Sequence, residues 1–305
     1  MEITVADETW GQRATAFAIE LATGKHHTRS YPWATVVGYL WGVTKHYESL
    51  DLPSPCRGMV ELAEVLDGVH KLKRHLVRRV SPVTLKMLGR LALGCDTSNV
   101  LHLRNNLFYQ MHFGTWARSA SSLPKTVAGF DPEVHLAWKD VLLMLGTDGN
   151  PSHLAVGLQT QKQDPYELLL DKTGHQWHAI AATPGQAVNV CITYILYVAA
   201  VGKQPPDAPF FQKVNRFNQL TGRAATYSDL LAGFKSDLVT HCPGMDPKDF
   251  ALHSFRRGGA TSARDKGIAD SFVQQFGGWS SEAFRLYMCL SVADQLTITR
   301  AIFSS

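Results

Sequence analysis

The sequence lacks the marks of several large protein classes. Its five cysteines, Cys56, Cys95, Cys191, Cys242 and Cys289, are odd in number, widely spaced and never in a CxxC pair. That argues against a disulfide framework and against a cysteine zinc site, and a reducing intracellular compartment fits it. Thirteen histidines are present, but no HExxH or HxH, and the adjacent pair His26-His27 does not by itself make a metal site. No GxxxxGK[ST] loop is present to cradle nucleotide phosphates. The longest apolar run, from Ala187 to Gly202, is interrupted by Asn189 and Thr193 and falls short of the ~20 apolar residues of a membrane span. The first eight residues have neither a basic start nor an apolar stretch, so no signal peptide is expected. No internal repeat is evident.

What is present suits a folded, two-domain chain. At 305 residues, with 45% hydrophobic and 18% charged, a core can be buried and disorder is excluded. Domains of ~100–200 residues predict about two. The net charge of +4 permits a polyanionic partner without demanding one, but the charge is clustered. Lys71, Lys73, Arg74, Arg78, Arg79, Lys86 and Arg90 fall within a twenty-residue stretch that has no acid. Such a stretch reads either as a solvated helix face or as a phosphate-contacting surface. Ser81-Pro82 lies inside it and, with an extended residue before proline, makes an inter-domain joint near 79–83.

Apolar spacing predicts helices over 8–21, 35–50 and about 59–77, the second ended by Leu52-Pro53-Ser54-Pro55. Beyond the joint, residues 83–121 read as helices, including 105–120. Short strands are expected at 134–145, 153–161 and 177–182, with Thr147-Asp148-Gly149-Asn150-Pro151 as a turn. Helices follow at 184–201, 227–240, 254–266, 269–275 and 281–290, with a last one at about 293–303. The expected fold is therefore mainly α with a small three-stranded antiparallel sheet inside the second domain.

The most informative segment is His253-Ser254-Phe255-Arg256-Arg257-Gly258-Gly259-Ala260-Thr261, followed by Gly277-Gly278-Trp279-Ser280 and Phe284-Arg285-Leu286-Tyr287. His253 and Arg256, three apart, share one helix face. An arginine fork can take two oxygens of one phosphate, and a histidine can move a proton near neutral pH. Gly258 and Gly259 are expected to allow close backbone packing. The pair alone is a common chance spacing. Its context resembles the C-terminal signature of the tyrosine recombinase (integrase) family, in which HxxR precedes a glycine-led His or Trp by a little over twenty residues and a nucleophilic tyrosine follows eight or nine later. Here the steps are 23 and 8, and eighteen residues follow Tyr287. The wording HSFRRGGAT with GGWSS is most similar to recombinases of eukaryotic mobile elements.

The resemblance implies a helical core-binding domain (1–80) and a catalytic domain (81–305), forming a C-shaped clamp on double-stranded DNA. Recombination would require self-association to a tetramer on two DNA sites. It also implies an early arginine at a helix end, for which Arg118 in Phe113-Gly114-Thr115-Trp116-Ala117-Arg118-Ser119 is the candidate, and Arg104, lying before that helix, is set aside. A lysine on a turn of the sheet is implied too, with Lys162 the candidate and Lys172 the runner-up. Arg118 and Arg256 would neutralise the scissile phosphate, with Trp279 donating its indole N–H. Tyr287 would attack phosphorus, Lys162 would protonate the leaving 5′-hydroxyl, and His253 would help move the tyrosine proton. No metal, cofactor or ATP is required. Arg257 is expected at the helix surface or on the DNA backbone, beside the basic cluster. The last helix either docks on a neighbouring protomer or packs on its own chain. No membrane association is expected, and the compartment would be the nucleus in a eukaryote. One departure stands out: the acid usual three positions after the first arginine is Ser121 here, and no acid follows until Asp131. Rival readings are a type IB topoisomerase-like enzyme, a catalytically inactive domesticated DNA-binding protein, and a helical interaction scaffold, the last leaving the acid-free stretch unexplained.

Overall fold

The computed structural model describes residues 8–24, 31–54, 56–72, 80–159 and 175–277. The chain divides into two compact units, Met1–Arg78 and Arg79–Ser305.

The first unit contains α1 (Glu8–Thr23), α2 (Trp33–Ser49) and α3 (Val60–Leu72). Each helix buries one apolar stripe. Ala18, Leu21 and Ala22 of α1 meet Val36 and Leu40 of α2 and Leu62 and Val69 of α3, at the three- and four-residue spacings that line one helix face. The Trp33 indole N–H donates to the Leu66 carbonyl at 3.0 Å, tying the start of α2 to α3. Helix α2 closes at Leu50, and Asp51 takes a left-handed φ of 53° just before Pro53. The expected continuation of α3 to residue 77 lies outside the described residues.

The second unit is arranged around α5 (Val100–Thr115), which is buried along nearly its whole length. It packs against α4 (Leu85–Leu93), α6 (Val190–Val201), α7 (Tyr227–His241) and α8 (His253–Asp265). Its start differs from the expected residue 105 because caps set it. Asn99 Oδ1 accepts from Leu101 N at 2.9 Å, and Asn218, far along the chain, accepts from Val100 N at 2.7 Å. An aromatic cluster fills the centre. Tyr109 stacks on Phe255 at 5.1 Å, and Phe234 meets the same ring at 4.6 Å.

Strands β1 (Val141–Leu145), β2 (Pro151–Gln159) and β3 (His175–Ala181) form an antiparallel sheet in that order. The first strand starts at 141 rather than 134. Residues Trp138–Asp140 form a 3-10 turn instead, fixed by Asp140 Oδ2 accepting from Ala137 N at 2.8 Å. Along the sheet Val141, Leu154, Val156 and Leu158 face inward while Leu142 is 46% exposed, the period-2 pattern of a half-buried sheet. Helix α6 begins at Val190, capped by Asn189, not at 184. A second sheet, the hairpin β4 (Gln212–Val214) and β5 (Leu220–Ala224), was not expected from the sequence. Helix α9 (Asp270–Phe276) follows α8.

Candidate active site

The site forms where the end of α5 meets the start of α8. Two contacts pin α8 and the 3-10 turn before it to the chain entering the unit: Ser81 N donates to Asp249 O at 2.7 Å, and Val83 N to Ser254 O at 3.0 Å. The glycine pair explains the close approach. A Cβ on Gly258 would run into the Val83 carbonyl, and one on Gly259 into the Trp116 ring and the Phe113 carbonyl. Gly258 and Gly259 therefore do allow the close packing expected of them. The inner face of α8 is held by Phe255, fully buried in the aromatic cluster.

Helix α5 ends because Trp116 adopts a left-handed conformation, φ 53° and ψ 29°, which is uncommon for a residue with a Cβ. Thr115 Oγ1 accepts from Ala117 N at 3.2 Å across the turn. The Trp116 carbonyl then receives Arg256 Nη1, while Arg256 Nη2 donates to the Gly277 carbonyl at 2.6 Å. Arg256 is only 5% exposed, so its charge sits in a fixed, desolvated cradle of backbone oxygens. Under it lies a small apolar cluster of Trp116, Ala260 and Val273, joined by Phe276.

Arg118 lies three residues past the end of α5, half-buried, at the start of the 3-10 turn Ser119–Ser121. His253 opens α8. Its pKa is pushed down from 6.5 to about 4 by burial first, then by the charges of Arg256, Arg257 and Arg118. The imidazole is therefore neutral at pH 7, and three arginines lie within electrostatic range of it. Arg118, His253 and Arg256 are thus brought into one neighbourhood from sequence positions far apart. Such a concentration of positive charge on partly desolvated side chains suits a phosphate group.

Two sequence expectations need correction. Arg104 does not precede the helix: it lies inside α5, 2% exposed, donating to Asn105 Oδ1 at 2.7 Å and to Gln212 O at 2.9 Å. Arg257 is not a helix-surface residue. It is 4% exposed and donates through Nη1 to the Val80 carbonyl, so it fastens α8 to the entering chain. Of the basic cluster, Lys86 and Arg90 are exposed on α4, and Lys71 is exposed on α3 beside Asp67 at 2.5 Å. Lys73, Arg74, Arg78, Arg79, Lys162, Lys172, Trp279 and Tyr287 lie outside the described residues, as do the expected helices at 281–290 and 293–303. Ser121 is 7% exposed, and its carbonyl accepts from Leu136 N at 3.1 Å.

The sequence reading missed His178. It lies on β3, 6% exposed, with its pKa pushed down to about 4 by burial and then by Arg256. Its ring meets Phe276 edge-on at 5.1 Å. Residues 178 and 180 of a strand share one face by alternation, but the sequence alone does not say which face turns inward. Among the described residues no group of three or more His, Cys, Asp or Glu side chains is arranged to hold a metal ion, and no helix is long and apolar enough to cross a membrane.

No protein-family model matches the chain, and no curated protein matches it either. Solved structures do. The Tn1549 transposon integrase (residues 82–397) in complex with circular intermediate DNA superimposes with a TM-score of 0.52 at 14% identity, covering 97% of this chain and 86% of that one. The same integrase in complex with transposon right-end DNA gives 0.51 at 13% identity, with 97% and 85% covered. The XerA recombinase aligns over 100% of this chain and 85% of its own at 16% identity, with a TM-score of 0.48. The chain thus has a tyrosine-recombinase fold: mainly helical with a three-stranded antiparallel sheet, a smaller helical unit followed by a larger one that carries the sheet.

Proposed function

We propose that the chain is a site-specific DNA recombinase of the tyrosine type, cutting and rejoining strands through a 3′-phosphotyrosyl intermediate. The observation that supports this reading is the meeting of α5 and α8, where Arg118 and Arg256 lie within electrostatic range of a partly buried His253. The sequence supplies the rest: Trp279 and Tyr287 follow Gly277, whose carbonyl holds Arg256.

In this mechanism Arg118 and Arg256 hold the non-bridging oxygens of the scissile phosphate and stabilise the charge that builds on them. Because Arg256 is fixed by two carbonyls before substrate arrives, little reorganisation is needed at the moment of reaction. Tyrosine, with an ordinary pKa near ~10, needs its proton accepted. His253 helps to move it. Trp279 donates to the phosphate and Lys162 protonates the departing 5′-hydroxyl. The phosphotyrosyl bond conserves the energy of the phosphodiester, so a 5′-hydroxyl of a partner strand rejoins without ATP. The partner is duplex DNA. Four protomers act on two sites, in the setting of a mobile element and, in a eukaryote, in the nucleus. Lys86 and Arg90 are the exposed phosphate contacts of the catalytic unit, with Lys71 and residues 73–79 extending the basic stretch.

A second reading, an inactive DNA-binding protein, is favoured by Ser121 where the family usually has an acid. One experiment separates the two. The full chain is incubated with a randomised library of duplexes, each carrying a nick, and DNA that stays attached under denaturing conditions is recovered and sequenced. A covalent adduct from wild type that is lost in Tyr287→Phe is expected. Tight DNA binding with no adduct would select the inactive reading, and an adduct surviving Tyr287→Phe would sink the assigned nucleophile.

A further inference from the structure

Helix α5 ends on a residue poorly suited to its backbone. A helix that stops in the left-handed region most often does so on glycine, which takes that conformation without penalty. Trp116 takes it instead, at φ 53°, and a bulky side chain there is an outlier. Such an outlier persists only where its surroundings hold it. The indole supplies that hold. The side chain is 7% exposed and packs with Ala260 of α8 and Val273 of α9. Phe276, at the end of α9, meets the ring edge-on at 4.6 Å. Gly259 of α8 leaves the room, since a Cβ there would enter the indole. The carbonyl of the same Trp116 receives Arg256 Nη1. The Gly277 carbonyl, which takes Arg256 Nη2 at 2.6 Å, directly follows Phe276. Both acceptors of the guanidinium therefore belong to residues tied together by one ring contact. Glycine at 116 would keep the path of the chain and lose that tie.

We propose that Trp116 is a positioning residue for Arg256: its indole, packed against α8 and α9, holds the Trp116 and Gly277 carbonyls at the spacing that fixes the guanidinium. Its kinetic consequence rests on the recombinase reading; its geometric consequence does not.

The test uses the full chain with Trp116→Gly, which keeps the left-handed turn and the carbonyl but deletes the ring, and Trp116→Phe, which keeps a ring. Spectra and rates are taken well below the urea midpoint of each variant. A ring that only filled space would lower that midpoint and leave Arg256 of the folded protein as it was. Nitrogen NMR of the arginine side chains, with Arg256 assigned through its loss in Arg256→Lys, reads the guanidinium without DNA. Wild type and Trp116→Phe are expected to show slow guanidinium rotation with separate Nη signals, and Trp116→Gly averaged ones. On the nicked duplexes that trap wild type, Trp116→Gly should form adduct about tenfold more slowly or worse, since small misplacements at a reacting centre are costly. Trp116→Phe should recover most of that rate. Where Trp116→Gly does not fold, Trp116→Leu, which stays apolar and lacks the ring, makes the same comparison. An Arg256 spectrum unchanged in the ringless variant overturns the proposal, as does an adduct rate within about twofold of wild type. An altered Arg256 spectrum supports it even if wild type traps no DNA, an outcome that sinks the recombinase reading alone.

Discussion

Two imidazoles of the second unit, His112 and His178, are buried and a third, His253, is half-buried, and all are neutral chiefly because of burial. His112 is pushed down to about 3, chiefly by burial, and stacks on Phe108 at 3.9 Å; His178 and His253 are pushed down to about 4. The unfolded chain takes up these protons near pH 6.5, the folded chain only well below. Their contribution to stability is therefore complete above pH 6.5 and is lost as pH falls towards 4, at about 1.4 kcal/mol per pH unit for each histidine. Urea midpoints measured at pH 7, 6 and 5 should fall accordingly, and His112→Leu should remove about one proton from that slope. Gly259→Ala should cost roughly 1–3 kcal/mol in the same assay, because the methyl group meets the Trp116 ring and the Phe113 carbonyl. At this scale the sequence was uneven. The spacing of His253 and Arg256 and the need for small residues at 258 and 259 were legible, because one helix turn and one close approach determine them. The burial of His178 and of Arg257 was not, because both depend on partners, Phe276 and the Val80 carbonyl, that lie far away in the chain.

At the scale of elements, α5 is the member on which the site is built. Its sixteen residues span about 24 Å, with the Asn218 cap at one end and the Trp116 turn at the other. Asn218 sits at a left-handed φ of 62°, so Asn218→Gly keeps the backbone path while deleting the side chain that receives Val100 N. We expect a loss of about 0.5–2 kcal/mol by urea unfolding, the range of a helix cap. The helices of the first unit were legible because each carries one continuous apolar stripe. The β4–β5 hairpin was not, since strands of three and five residues carry too few alternations to reveal a period. The start of α5 was misjudged for a related reason: the cap on its first amide comes from Asn218, more than a hundred residues away.

Among the described residues each unit has its own main hydrophobic core, the first with buried residues from α1, α2 and α3 and the second with buried residues from Val83 onward. Damage to one should not register in the other. Leu40→Ala, at a 5% exposed position of the first core, should cost about 2–5 kcal/mol there. Amide exchange should show lost protection in α1 to α3, while Leu107 and Phe108 in α5 keep theirs. The cradle of Arg256 has a different kind of robustness. Its acceptors are main-chain oxygens, and no single codon change can delete a carbonyl. A saturation screen should therefore show a sharp intolerance at 256, 258 and 259, whereas at 116 and 277 the penalty should follow backbone shape and packing rather than lost hydrogen bonding. What heredity must preserve here is the route of the chain, and the arginine inherits its geometry from that route.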